Sequence, residues 1–220
     1  MAQIAEDLLL LLLDNASARP GLDRERRERL LSAAVLLDLA HACRIRPAMA
    51  TEHVGAGRLV LLSGPDPADP ALDPALRMLS RRPMRPAAAV AKLRRGIEAT
   101  LLGELERAGQ IRPIRVRSMG INRSMTWPFT DRTRVNGARA AMLSALFDRR
   151  SPAPSTAAII SLLHAADGFG ALLSLNDRGW QWVHIRAAEI AGGSWVQESA
   201  GQLPELNLAV TASALRDALR

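Results

Sequence analysis

A run of six leucines, Leu8 to Leu13, constrains the fold of this chain more than any other feature. A helix over residues 3–13 would contain the run and end before the polar pair Asp14-Asn15. The run has no polar face, and it is far shorter than the roughly 20 apolar residues that a membrane-spanning helix needs. We therefore predict that this helix is buried inside a protein core.

Turn and capping signals divide the rest of the chain into helices and two hairpins. Asp23 follows Pro20-Gly21 as the N-cap of a helix that starts charged and becomes apolar. The strings CRIRP and RLVLLS flank a glycine-containing loop and predict a short hairpin. Further elements are predicted in this order: a helix from Pro74 to about Ser80 with Asp73 as its N-cap, a long helix over residues 87–108 ended by Gly109, a hairpin around Gly120, helices capped by Asp131 and Ser155, and two or three amphipathic helices after Trp180. Residues 1–220 are thus predicted to form a single domain, a mainly α, compact helical bundle with a projecting β-hairpin and a second short hairpin.

The sequence predicts a cytoplasmic location. The segment from Thr156 to Leu175 is long and apolar, but it contains a histidine, an aspartate and two glycines, so we interpret it as a buried central helical segment. Glu6 and Asp7 precede the leucines, whereas a signal peptide has positive charge there. The single cysteine, Cys43, cannot form an internal disulfide or anchor a metal site. We expect neither a metal nor a cofactor.

The chain carries a net charge of +7, and Lys92 is its only lysine. Nearly all of the positive charge therefore belongs to guanidinium groups, whose planar fork suits bidentate contacts to phosphate. The excess predicts an anionic partner, either nucleic acid or an acidic membrane surface, and charge alone does not choose between them. The compositional alternative is a GC-rich bacterial genome, which favours alanine and arginine over lysine.

Arginines cluster near the basic end of the predicted long helix. They are Arg94 and Arg95 in the helix and, in the loop before it, Arg81, Arg82 and Arg85. Together they can form a surface phosphate site, and the alternative is a solvated basic face. At about 1 kcal/mol per arginine near an anionic surface, five would give about 5 kcal/mol, which is weak binding near the millimolar level. A second contact is therefore needed.

The hairpin around Gly120 can supply this contact. Met119 and Ile121 flank the glycine, and each would contribute about 1.5–3 kcal/mol if fully buried. Arg117 and Arg123 would then reach the lipid headgroups. The competing hypothesis is that the hairpin mediates self-association into a homo-oligomer, which multiplies weak contacts through effective concentration.

Six strings, in order along the chain, carry a resemblance to a known family. They are EDLLLLLLD, AAVLLDLAHACRI, LDPALRML, KLRRGIEATLLGELERAGQI, TWP and AAIISLLHAADGFGALL, within roughly residues 3–195. In these strings the chain resembles the Golgi phosphoprotein 3 family, including its bacterial members. The resemblance implies a compact helical domain with a projecting hairpin, peripherally associated with membranes through phosphatidylinositol 4-phosphate. In eukaryotes the family also acts as an adaptor that holds glycosyltransferases in the Golgi, which implies a membrane-protein client.

The family's phosphoinositide pocket contains a tryptophan that opens the second helix, an arginine nine residues later, and two arginines three apart before the hairpin. The matching positions in this chain are, in order, Asp23, Ser32, Arg95 and Glu98. Only Arg95 keeps the family residue, and a carboxylate at Glu98 would repel a headgroup phosphate. Substitute charge is then expected from the charged second helix, at Arg24 and Arg27.

A winged-helix nucleic-acid-binding protein is the alternative function. A helix leading into a basic hairpin is also typical of a recognition region and its wing, and Arg115, Arg117 and Arg123 would be the wing contacts. Against this, the same helix carries three glutamates that would face the DNA backbone. We therefore expect nucleic acid not to be the partner.

An enzyme is not expected. His164 and Asp167 are three residues apart on a predicted helix, but no nucleophile and no metal-ligand spacing accompanies them. A core histidine beside a helix-end aspartate is the better explanation of the pair.

Overall fold

The computed structural model describes residues 3–65, 69–117, 123–196 and 203–219. The helices of this part are α1 (Gln3–Leu13), α2 (Arg24–His41), α3 (Asp73–Arg81), α4 (Pro86–Leu93), α5 (Ile97–Arg107), α6 (Thr133–Phe147), α7 (Pro154–Ala165), α8 (Asp177–Ala191) and α9 (Leu203–Arg216). The strands form two antiparallel pairs, β1 (Ile45–Pro47) with β2 (Leu59–Leu61) and β3 (Ile114–Arg117) with β4 (Arg123–Thr126). The predicted mainly α fold with two hairpins is confirmed.

Helices α1 and α2 form the centre of the molecule. The leucines from Leu8 to Leu13 are at most 1% exposed, because α1 packs against α2, α5, α6 and α7. Helix α2 buries its apolar half, residues 30–40, against α1, α4, α7 and α9. Burying each leucine side chain is worth about 1.5–3 kcal/mol, so these two helices supply much of the driving force for folding. The prediction that the first helix is buried is confirmed.

Polar contacts at helix starts fix how these central helices meet. The Asp23 carboxylate accepts a hydrogen bond from the Arg26 backbone N–H at 3.0 Å and caps α2, as predicted. Asp38, buried within α2, accepts the backbone N–H groups of Ile4 and Ala5 at 2.9 and 3.0 Å. These two donors open α1 and have no partner inside their own helix. Burial raises the pKa of Asp38 well above its usual range.

The prediction of one long helix over residues 87–108 is wrong. The structure has two helices there, because residues 94–96 form a turn in which Gly96 has a φ of +87°. Such a left-handed conformation is easy for glycine and strained for other residues. The end of the second helix is as predicted, since Gly109 follows α5 with a φ of +68°.

Three predicted caps are displaced. Asp73 is the first residue of α3, and Leu72 occupies the N-cap position. Ser155 is inside α7, which begins at Pro154, because proline with its fixed φ is favoured in the first turn. Asp131 lies one residue before the N-cap of α6, Arg132, although its carboxylate still accepts the Thr133 N–H at 2.9 Å.

The apolar segment 156–175 does not form one long helix. Helix α7 ends at Ala165, and a short 3-10 turn, Phe169–Ala171, follows it. Within the described part of the chain, no helix combines the length and the apolar character needed to cross a membrane.

Candidate functional site

The break beside Gly96 ends α4 next to α3 and leaves a cleft of about 550 Å³ between them. We call it the α3–α4 cleft. Five cationic side chains line it together with three apolar ones: Arg77, Arg81, Arg82, Lys92, Arg95, Pro74, Met78 and Leu93. Its volume lies within the roughly 300–1,000 Å³ that is typical of small-ligand sites.

Local helix geometry explains why these cations converge. Arg77 and Arg81 are one turn apart on α3 and therefore share one face of it. Arg82 follows directly, in an extended conformation that ends the helix. Lys92 is in the last turn of α4, and Arg95 lies in the turn that Gly96 makes possible. The two helix ends thus present their cations to one space.

The cleft carries positive charge that no carboxylate of the described residues neutralises. Among its lining residues there is no carboxylate, and all five cations are exposed. None of the five takes part in an ion pair within the described ranges. Helix dipoles favour cations in the last turns of α3 and α4, which accounts for Arg81 and Lys92. They do not account for Arg82 or Arg95, which lie beyond the helix ends.

The five arginines predicted to form a phosphate site near the basic end of the long helix lie in three different places. Arg81, Arg82 and Arg95 are brought together in the cleft. Arg85 lies in an adjacent recess that also includes Arg82. Arg94 points away from the cleft and forms an ion pair with Glu25 at 3.1 Å.

Arg24 and Arg27 do not supply the expected substitute charge to the cleft. Arg24 Nε donates to the Glu28 carboxylate at 2.7 Å, one turn along α2. The Arg27 guanidinium donates hydrogen bonds to both carboxylate oxygens of Glu98 at 3.0 and 3.1 Å. The two side chains are only 12% and 17% exposed. Glu98 therefore balances a guanidinium between α2 and α5, where the resemblance placed a headgroup site.

Two cleft residues were missed at the sequence level, Arg77 and Lys92. Their helical spacings were the available signal, because Arg77 is four residues before Arg81 and Lys92 three before Arg95. In the structure a turn, and not a helix face, carries Arg95, so the cleft rather than a continuous helix brings it near Lys92.

The β3–β4 hairpin has two unlike faces. In its register Ile114 lies opposite Thr126 and Val116 opposite Ser124, whereas Arg115 lies opposite Met125 on the other face. Ile114 and Val116 are 37% and 39% exposed. Arg117 and Arg123 are register partners at the end of the described strands. The predicted tip residues Met119 and Ile121 lie outside the described residues.

Comparison with known proteins gave one family. The sequence profile described as Golgi phosphoprotein 3 (GPP34) matches residues 4–205. No curated protein matches the chain significantly.

Proposed function

Because the chain belongs to the Golgi phosphoprotein 3 family, we propose that it is a peripheral membrane protein that binds anionic phospholipid headgroups in the α3–α4 cleft. The observation that supports this most directly is the convergence of five unpaired, exposed cations around one concave space without a carboxylate. Arginine-rich sites of this kind suit phosphate because guanidinium groups donate paired hydrogen bonds to its oxygens. Binding, rather than catalysis, is the proposed activity.

The expected strength is modest. If each cation near an anionic surface contributes about 1 kcal/mol, the cleft provides about 5 kcal/mol, equivalent to a dissociation constant of a few tenths of a millimolar. Clustered copies or a second contact would raise the apparent affinity. The hairpin is the proposed second contact, through membrane insertion or self-association.

Liposome co-sedimentation tests the cleft. The double variant Arg81→Ala, Arg95→Ala removes two of its cations without touching an ion pair or the core, and binding to anionic vesicles should fall about 30-fold. Arg178→Ala is the matched control, because Arg178 is exposed on α8 and far along the chain from the cleft. If the control and the double variant bind equally well, the cleft is not the site.

A further comparison separates neighbouring arginines. Arg94→Ala should weaken binding less than Arg95→Ala, because Arg94 lines a different depression and is paired with Glu25. Equal losses would show that general positive charge, and not the cleft, controls binding.

The lipid and the partner are proposals that the same samples address. Vesicles containing phosphatidylinositol 4-phosphate test the headgroup implied by the family. A role as an adaptor for a client membrane protein requires that the chain first bind such vesicles. Met119→Ser with Ile121→Ser should reduce binding or self-association, the latter read by size-exclusion chromatography. A mobility-shift assay with duplex DNA tests the winged-helix alternative, and binding to DNA in preference to vesicles at physiological salt would favour it.

A further inference from the structure

A second cationic concavity adjoins the α3–α4 cleft. It has a volume of about 210 Å³ and lies between β2 and the start of α4. We call it the β2 recess. Its cationic lining consists of Arg58, Arg82 and Arg85, and the rest of its lining is Pro83, Met84 and Ala88. Arg82 lines both concavities, so the two are adjacent.

Backbone pairing fixes the position of the recess. Leu59 of β2 and Met84 form an antiparallel bridge. The Leu59 N–H donates to the Met84 carbonyl at 2.7 Å, and the Met84 N–H donates to the Leu59 carbonyl at 3.2 Å. In this register the neighbours of the bridged residues, Arg58 and Arg85, lie opposite each other. A rigid backbone contact therefore holds like charges together.

This arrangement is unfavourable without an anion. Cross-strand like charges repel, and no carboxylate of the described chain lines the recess. Neither Arg58 nor Arg85 belongs to an ion pair within the described residues. An anionic group bound in the recess would relieve this repulsion and would be within reach of Arg82, which also faces the cleft.

We propose that the cleft and the recess are two subsites for the two phosphates of a single phospholipid headgroup, of the class in which two phosphodiesters are joined by a glycerol. This inference rests on the proposed function, since it assigns a lipid class to the same surface. A covalent link between the phosphates matters because the second phosphate then binds at a high effective concentration. A headgroup with one phosphate fills only one subsite.

The test compares two lipids at equal surface charge. Phosphatidylcholine vesicles contain either phosphatidylglycerol or diphosphatidylglycerol at half its molar fraction, at about 0.15 M salt, where charges beyond about 8 Å are screened. The wild-type chain should partition about 100-fold more strongly onto the diphosphatidylglycerol vesicles, because one lipid molecule then occupies both subsites and linked contacts raise affinity by about 10²–10⁴. The variant Arg58→Ala, Arg85→Ala should lose this preference, because its binding to diphosphatidylglycerol should fall more than its binding to phosphatidylglycerol.

The outcomes separate this inference from the proposed function. Equal partitioning of the wild-type chain onto the two vesicles, or equal losses by the variant on both, overturns the two-subsite inference while leaving headgroup binding in place. If the wild-type chain binds neither type of vesicle, both the two-subsite inference and the proposed function are overturned. Soluble pyrophosphate is a third arm, and displacement of the protein at micromolar concentration would mean that the ligand is a free diphosphate and not a lipid. Circular dichroism of the variant at the same temperature checks that it remains folded.

Discussion

The ion pair between Arg27 and Glu98 should be one of the most valuable polar contacts between α2 and α5. Glu98→Ala leaves the Arg27 guanidinium without its carboxylate in a place where the side chain is only 12% exposed. Removing one partner of a fully buried pair costs about 3–5 kcal/mol, whereas exposed pairs contribute about 1 kcal/mol or less. Because this pair is close to the buried limit and bidentate, we expect a loss of about 3 kcal/mol. For a chain of this size that corresponds to a melting temperature lower by about 6–12 °C.

Urea denaturation and thermal melting, followed by circular dichroism, measure this loss. The matched control is Glu25→Ala, which breaks the Arg94–Glu25 pair, whose side chains are 39% and 69% exposed. It should cost less than about 1 kcal/mol. The double variant Arg27→Ala, Glu98→Ala should be less destabilised than the sum of its single variants, since neither charge is then left alone.

Anion rescue adds a second measurement. In Glu98→Ala the unpaired guanidinium offers a place for a small anion, so phosphate should raise the melting temperature of the variant more than that of the wild type. The reasoning is refuted if Glu98→Ala costs no more than Glu25→Ala, or if the double variant equals the sum of the single ones.

Two further predictions concern buried charge and backbone conformation. Burial raises the pKa of Asp38, so protonation stabilises the fold at acidic pH, and this contribution is lost as the pH rises through the folded-state pKa. Asp38→Asn should therefore flatten the decline in unfolding free energy that begins near about pH 4 and continues as the pH rises through the folded-state pKa. Urea titrations that give parallel pH curves for both proteins would contradict it. Gly96→Ala should cost about 1 kcal/mol because of its φ of +87°, whereas Gly103→Ala inside α5 should stabilise by about 0.5–1 kcal/mol. Apart from the chain neighbours and the local helix backbone, no atom of the described chain lies within 4 Å of either added Cβ. Melting temperatures that shift in the same direction would therefore contradict a purely conformational cause.

The elements that local chemistry specifies were predictable from sequence. The leucine run of α1 has no polar face and could only be buried, and Asp23 has the side chain and the position of an N-cap. Both hairpins followed from strand-like strings on either side of glycine-containing turns. Arg81, Arg82 and Arg95 were also correctly grouped, because they are close along the chain as well as in space.

The composition of the cleft required the tertiary structure. Gly96 is compatible with a helix interior and with a break, and the choice depends on how α4 and α5 each pack against α2. That break, together with the bridge between Leu59 and Met84, decides which cations share a concavity.

Sequence alone determined that this chain has a helical core built on α1 and an excess of guanidinium groups that favours an anionic partner, because burial and net charge depend on residue type. Only the tertiary structure decided which of those groups are available. Arg27 and Arg94 form ion pairs with carboxylates, and Glu98 lies far from its partner in sequence. The cleft arginines have no ion-pair partner among the residues that the structure describes. Charge neutralisation depends on distances of a few ångströms between elements distant along the chain, and sequence spacing does not report those distances.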